Sequence, residues 1–395
     1  MAGRGWQIAG GRWSHEPYGL SRSLEFAEPR SPGIFIRRGP DASGWPIPLK
    51  MKTQLIDKAV TAGEVPKHNS VWRQRKARHA EQRYTLAERL EALFLKVLLR
   101  FIGKCSFRTV SALGGLVGYL VWILAPSRRR ISLQGLSIAF DEQCSREDRI
   151  GIARSAASNF VKARFEFLKL ACAAPSELRK RTTVEGMEHL VEAVSRQQGV
   201  LLFTVHLGCW ELIGERLVAE GFPITVVSRP RGNPLVEELW KTVECQTGVE
   251  VLSKFKSMWA IMRSLRRGRV VGILPDQHAG RVGVFVKLFG RPTSMHPVVS
   301  LVALRTGAPV IPCMAPRGPD GRVHIRFFPP LSLVRSDDPR RDVRENTELM
   351  ARTFESFIRE YPDQYLWMHY RWRKGDLEQS RKLNEVTSGE LSDDQ

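Results

Sequence analysis

Apolar positions along the chain fall into two textures. From 86 to 102 the run LAERLEALFLKVLLRFI repeats apolar residues at helical spacing, with Arg89, Lys96 and Arg100 on one stripe of the predicted helix. TVSALGGLVGYLVWILAPS, 109 to 127, then runs without a charge. As a helix it would reach about 28 Å, close to the ~30 Å core of a bilayer, so it reads as membrane-contacting. The competing reading is a buried helix packed through Gly114, Gly115 and Gly118. Lys104 and Arg108 precede the segment and Arg128, Arg129 and Arg130 follow it, so charge assigns no orientation. Ser145 to Asp148 has the form of a helix cap with acids in the first turn, opening a helix to about Ala171.

Beyond that helix, short β-rich runs alternate with helical stretches: GVLLFTV at 199 to 205, PITVVS at 223 to 228, VEVLS at 249 to 253, RVVGILP at 269 to 275, APVIPCM at 308 to 314 and VHIRFF at 323 to 328. A last helix is expected from about Arg341 to Glu360. The alternation predicts an α/β fold, a mixed, largely parallel sheet flanked by helices. Four regions follow: a basic, disordered extension over 1–85, membrane-associated helices over 86–130, an α/β domain over 131–375 and a polar tail over 376–395.

Composition changes the picture at the amino terminus. Residues 1–50 hold 8 Gly and 6 Pro without periodicity, which predicts disorder, and they lack the apolar run of a signal peptide. Met51 is an alternative start. The six cysteines include no C-x-x-C pair, so neither a zinc site nor a redox motif is indicated, and the chain reads as reduced and cytosol-facing. The formal charge of +20 favours an anionic partner. Nucleic acid is not expected: the basic run at 73 to 83 has no interleaved aromatics and no known binding spacing accompanies it.

Ligands of open α/β sheets gather at the carboxyl ends of strands. Three such exits carry polar residues. In LLFTVHLGCWELIGERL, His206 ends a strand and Glu211 opens a helix, so a carboxylate on the next turn could fix the tautomer of a general-base imidazole, beside unpaired helix-start amides. In TVVSRPRGNP, Arg229 and Arg231 suit phosphate or carboxylate. In VVGILPDQHAG, Asp276, Gln277 and His278 follow a strand, and Asp276 alone reads more readily as a helix cap or a structural hydrogen-bond partner than as a catalyst.

Taken in order, HLGCWE, SRPRGNP, PDQHAGRVGVFVKLFG, TGAPVIP and YPDQYLWMHYRW resemble the bacterial lipid A biosynthesis acyltransferases, over about residues 90 to 373. The resemblance implies a catalytic pair His206 and Glu211, with Arg229, Arg231, Asn233, Asp276 and Gln277 binding substrate. It implies acyl transfer from acyl carrier protein to a hydroxyl of a phosphorylated glycolipid, without metal or organic cofactor, on the cytoplasmic side of a bacterial inner membrane with an anionic surface. Cys209 stands where that family usually has Asn, Lys287 and Leu288 replace Pro-Phe, and Tyr370 interrupts H-R-R-W. These departures bear on the acceptor, which for related enzymes is a mannosylated inositol lipid.

Overall fold

The computed structural model describes residues 5–9, 12–16, 84–141, 143–171, 173–253, 257–376 and 378–380. Strands β1 (Gly5–Ala9) and β2 (Arg12–Glu16) pair as an antiparallel hairpin within the stretch whose composition predicts disorder. Met51, the basic run at 73 to 83 and most of the polar tail lie outside the described residues.

Four helices come next: α1 (Leu86–Lys104), α2 (Phe107–Leu124), α3 (Pro126–Phe140) and α4 (Arg146–Leu170). Thr85 with Glu88 and Ser145 with Asp148 form reciprocal capping boxes at the starts of α1 and α4, which satisfies amides that a helix start otherwise leaves without partners. The uncharged segment expected to run to 127 stops at Leu124. Pro126 cannot donate an N–H and has the φ of a first helical residue, so it ends one helix and opens another.

The remaining chain alternates α5 (Pro175–Arg181), β3 (Thr182–Glu185), α6 (Met187–Ser195), β4 (Val200–Phe203), α7 (Glu211–Ala219), β5 (Ile224–Ser228), α8 (Pro234–Thr247), β6 (Glu250–Ser253), α9 (Ser257–Arg266) and β7 (Val270–Ile273). A hairpin of β8 (Val284–Leu288) and β9 (Arg291–Met295) precedes α10 (Val298–Thr306), β10 (Val310–Met314), β11 (Val323–Phe327) and α11 (Pro339–Glu360). Seven strands form one sheet in the order β3-β11-β10-β4-β7-β5-β6. The five from β10 to β6 are parallel; β11 pairs antiparallel with β10, and β3 runs with β11. This is the mixed, largely parallel α/β sheet that the alternation predicts. Strand β3 is an addition to the expected strands, since three polar residues around a single Val in TTVE carry no strand signal until β11 pairs with them, and β8 and β9 form a separate two-stranded sheet.

Both faces of the sheet are covered, which is why its central strands read as continuous apolar runs. Along β4, Leu201 and Phe203 enter a core shared with Phe354 of α11 and Val302 of α10. Val200 and Leu202 point the other way, toward Leu190 of α6 and Leu217 of α7. All four are at most 1% exposed, so β4 is anchored on both sides and the residues that leave its carboxyl end have a fixed origin.

Candidate active site

β4 and β7 are parallel neighbours with Phe203 opposite Ile273. Three residues beyond that pair on each strand stand His206 and Asp276. The amide of Thr204 donates to the Ile273 carbonyl at 3.1 Å, carrying the ladder past the strand ends. Thus the sheet register delivers imidazole and carboxylate to the same point. His206 Nδ1 lies 2.6 Å from Asp276 Oδ1, and the His206 amide donates to Asp276 Oδ2 at 3.0 Å. Asp276 is 3% exposed. Burial pushes its pKa up, yet the His206 ring and amide and the charge of Arg371 outweigh that, and the carboxyl sits below its ordinary value. With Nδ1 donating to this carboxylate, the other ring nitrogen, Nε2, is left as the acceptor.

The segment after His206 is held tightly. Gly208 has φ +62°, and a Cβ there would lie 2.2 Å from the Ala315 carbonyl oxygen, so the turn demands glycine. The amides of Leu207, Gly208 and Cys209 donate to Val205, Gln364 and Ala315 at 2.7, 3.1 and 2.9 Å. These three are therefore not the unpaired helix-start donors that the sequence suggests. From the carboxyl-terminal side, Leu366 donates its amide to the His206 carbonyl at 3.0 Å, and Tyr365 bridges to Leu207.

Glu211 opens α7 as expected, but its carboxylate is turned to α4, where it pairs with the Arg164 guanidinium. Arg164 lies 3.6 Å over the Trp210 ring and also faces Phe160. Trp210 in turn packs edge-on to His206, with centroids 4.8 Å apart. The carboxylate on the imidazole is thus Asp276, from a neighbouring strand 70 residues away, and Glu211 reaches the site through Arg164 and Trp210. An offset of five places His206 and Glu211 on either side of the strand-to-helix turn, and α4 offers the acid a cation first.

The other predicted ligands divide. Gln277 Nε2 is 3.5 Å from His206 Nε2 and is exposed, so it stands at the mouth of the site. Arg229 is exposed and makes no ion pair among the described residues. Arg231 is engaged inside the protein, with Nη1 3.2 Å from Glu237, Nη2 3.3 Å from Glu244 and its guanidinium 4.3 Å over Trp240. Asn233 caps α8 and donates its amide to the Glu88 carbonyl at 3.0 Å and to the Glu91 carboxylate at 2.8 Å. Both therefore shape the loop that presents Arg229.

Several neighbours were not assigned a role from sequence. Arg371 is buried and donates to the Ser294 carbonyl at 2.8 Å, contributing positive charge near Asp276. His369 Nε2 accepts the His278 amide at 3.0 Å, and burial pushes its pKa down to about 4, so it is neutral at physiological pH. The available signal was polar residues set in an apolar, aromatic run, YLWMHYRW. Cys209 is buried, with Sγ 3.2 Å from Arg317 Nη2; that arginine also pairs with the fully buried Glu166. Burial pushes the Cys209 thiol up to about 11, which leaves it protonated.

The arrangement, an outward imidazole nitrogen backed by a buried carboxylate, suits removal of a proton from a substrate hydroxyl. The sequence pattern of the bacterial lipid A biosynthesis acyltransferases matches residues 79–374. The chain is 26% identical over 279 residues to a lipid A biosynthesis acyltransferase of Haemophilus influenzae, covering 70% of this chain and 84% of that one. To the lipid A biosynthesis lauroyltransferase of Escherichia coli it is 26% identical over 282 residues, covering 70% and 89%. To the phosphatidylinositol mannoside acyltransferase of Mycobacterium tuberculosis it is 28% identical over 207 residues, covering 50% and 62%. With three quarters of its length matched by that pattern, the chain belongs to the bacterial lipid A biosynthesis acyltransferase family.

Proposed function

We propose that this protein transfers a fatty acyl group from acyl carrier protein to a hydroxyl of a lipid A precursor, with His206 as general base. The observation that carries the reading is the His206–Asp276 contact at the carboxyl edge of the sheet. Nε2 of His206 takes the hydroxyl proton as the oxygen attacks the thioester carbonyl. The C–S bond of the resulting tetrahedral intermediate then breaks, and the imidazolium returns its proton to the leaving thiolate. Asp276 fixes the tautomer and supports the transient imidazolium charge. Arg229, exposed beside the neighbouring strand, is placed in this reading on the acceptor phosphate or the developing oxyanion. Acyl carrier protein and a phosphorylated acceptor are both anionic and match the +20 charge. The reaction is assigned to the cytoplasmic face of the inner membrane.

The test is turnover by purified protein given an acyl carrier protein thioester and a phosphorylated glycolipid acceptor, with the product read by mass spectrometry. Acylation by wild type and its loss in His206→Ala support the reading; equal turnover in the two overturns it. A second acceptor class is favoured by the likeness to the mycobacterial acyltransferase. A mannosylated inositol lipid offered in parallel separates them, because the preferred acceptor gives the higher kcat/KM.

A further inference from the structure

Among the described residues, α2 alone is long and apolar enough to cross a bilayer. Its attachments run against a crossing. Just before it, the Gly103 carbonyl accepts from Lys169 Nζ of α4 at 2.8 Å. Midway, the Gly115 carbonyl accepts from Ser158 Oγ at 2.8 Å, and just beyond the helix Arg128 donates to the Met368 carbonyl at 3.3 Å. Gly114 and Gly118 let the two backbones touch: a Cβ on them would lie 2.8 Å from Lys162 Cα and 2.6 Å from Ser158 Cα. As α2 advances from 114 to 118, its contacts on α4 retreat from 162 to 158, so the helices are antiparallel along this stretch.

Helix α4 cannot follow α2 into hydrocarbon. It carries Arg154, Lys162, Arg164 and Glu166, and it packs Ala153, Ala157 and Phe167 into the cores of the α/β domain. Helix α1, which precedes α2, is tied to that domain as well, through Asn233 and its bonds to Glu88 and Glu91. Chain on both sides of α2 therefore lies on one side of any membrane.

What these helices leave bare is apolar. On α1, Leu86, Leu90, Leu93, Phe94, Val97 and Phe101 are exposed at spacings that share one helical face, flanked by the exposed Arg89, Lys96 and Arg100. On α2, Leu116, Leu120, Ile123 and Leu124 are exposed opposite the glycine face. A bare apolar stripe edged by cations matches the acyl boundary and phosphates of an anionic lipid leaflet. We propose that α1 and α2 lie in the plane of an anionic phospholipid surface and that α2 does not span it. Asn233 caps α8 directly after β5, so α1 sits at the same carboxyl edge as His206, and docking turns that edge toward the lipid. The proposal stands independently of the acyl-transfer reading.

Two measurements test it without any assay of turnover. Gly103→Cys and Ser127→Cys, at exposed positions on either side of α2, are treated with a membrane-impermeant maleimide in right-side-out and inside-out vesicles, and labelled peptides are identified by mass spectrometry. Both sites are expected to react in the same vesicle orientation; reaction in opposite orientations overturns the proposal. Purified protein is then bound to phosphatidylcholine vesicles with and without phosphatidylglycerol. Leu93→Glu with Phe94→Glu should weaken binding more than tenfold on both. Lys96→Gln and Arg100→Gln should each weaken it about fivefold, on the anionic vesicles only. Undiminished binding of the Glu variant, with an unchanged melting curve, overturns the docking face.

Discussion

Asp276 holds His206 from two directions, one carboxylate oxygen 2.6 Å from ring Nδ1 and the other 3.0 Å from the His206 amide. Ring and main chain are thereby fixed relative to each other, a stricter constraint than tautomer selection alone. Asp276→Asn is expected to lower kcat by about 10² to 10⁴-fold, comparable to His206→Ala, and the double variant should be little worse than either single one. Steady-state kinetics of the three variants checks this; additive losses would show that the two residues act separately.

Glu211→Ala should behave differently, because its partner is Arg164 rather than the imidazole. Removing one member of a largely buried pair leaves an uncompensated charge and costs about 3 to 5 kcal/mol. The expected result is a lowered melting temperature together with reduced activity. A double-mutant cycle with Arg164→Met should show stability coupling. Its absence, with activity lost and the melting temperature unchanged, would return Glu211 to direct contact with the reaction.

Glu215, buried in α7, has its carboxyl pushed by burial up to about 8 from an ordinary 4.5. The folded state therefore favours the protonated form. Below pH 4.5 both states are protonated and the group imposes no penalty; as pH rises from 4.5 through 8, the unfolded chain ionises first and stability falls. Glu215→Gln should remove this slope, raising the melting temperature at pH 8 and changing it little at pH 5. Parallel pH series of thermal unfolding are the measurement, and identical slopes in wild type and variant would refute the assignment.

Cys209 is three positions from His206, yet its thiol is buried and protonated. Cys209→Ala and Cys209→Asn should retain activity within tenfold. Mixing the wild-type protein with an acyl carrier protein thioester in the absence of acceptor should leave its intact mass unchanged. A thiol-dependent acyl adduct accompanied by loss of turnover in the variants would establish a two-step reaction through Cys209.

The elements were legible along the chain because their signals are local. VLLF, ITVVS and VVGI are apolar runs bounded by turn residues, and the Ser145 cap and the stripe of Arg89, Lys96 and Arg100 follow from spacing on one helix. The resemblance located His206, Glu211, Arg229 and Asp276 by motif. Partnership between them is another kind of fact. Glu211, five positions from His206, faces Arg164, while Asp276 reaches the imidazole because β7 lies beside β4 in register, a pairing set by strands far apart in the chain. Arg231 and Asn233 share a motif with Arg229, and only the placement of Glu237, Glu244, Trp240 and α1 around them decides that they are engaged internally. Length and apolarity marked 109 to 127 as able to meet a membrane; whether such a helix crosses or lies flat depends on what is fastened to its ends and its glycine face, which hydropathy along one chain does not encode.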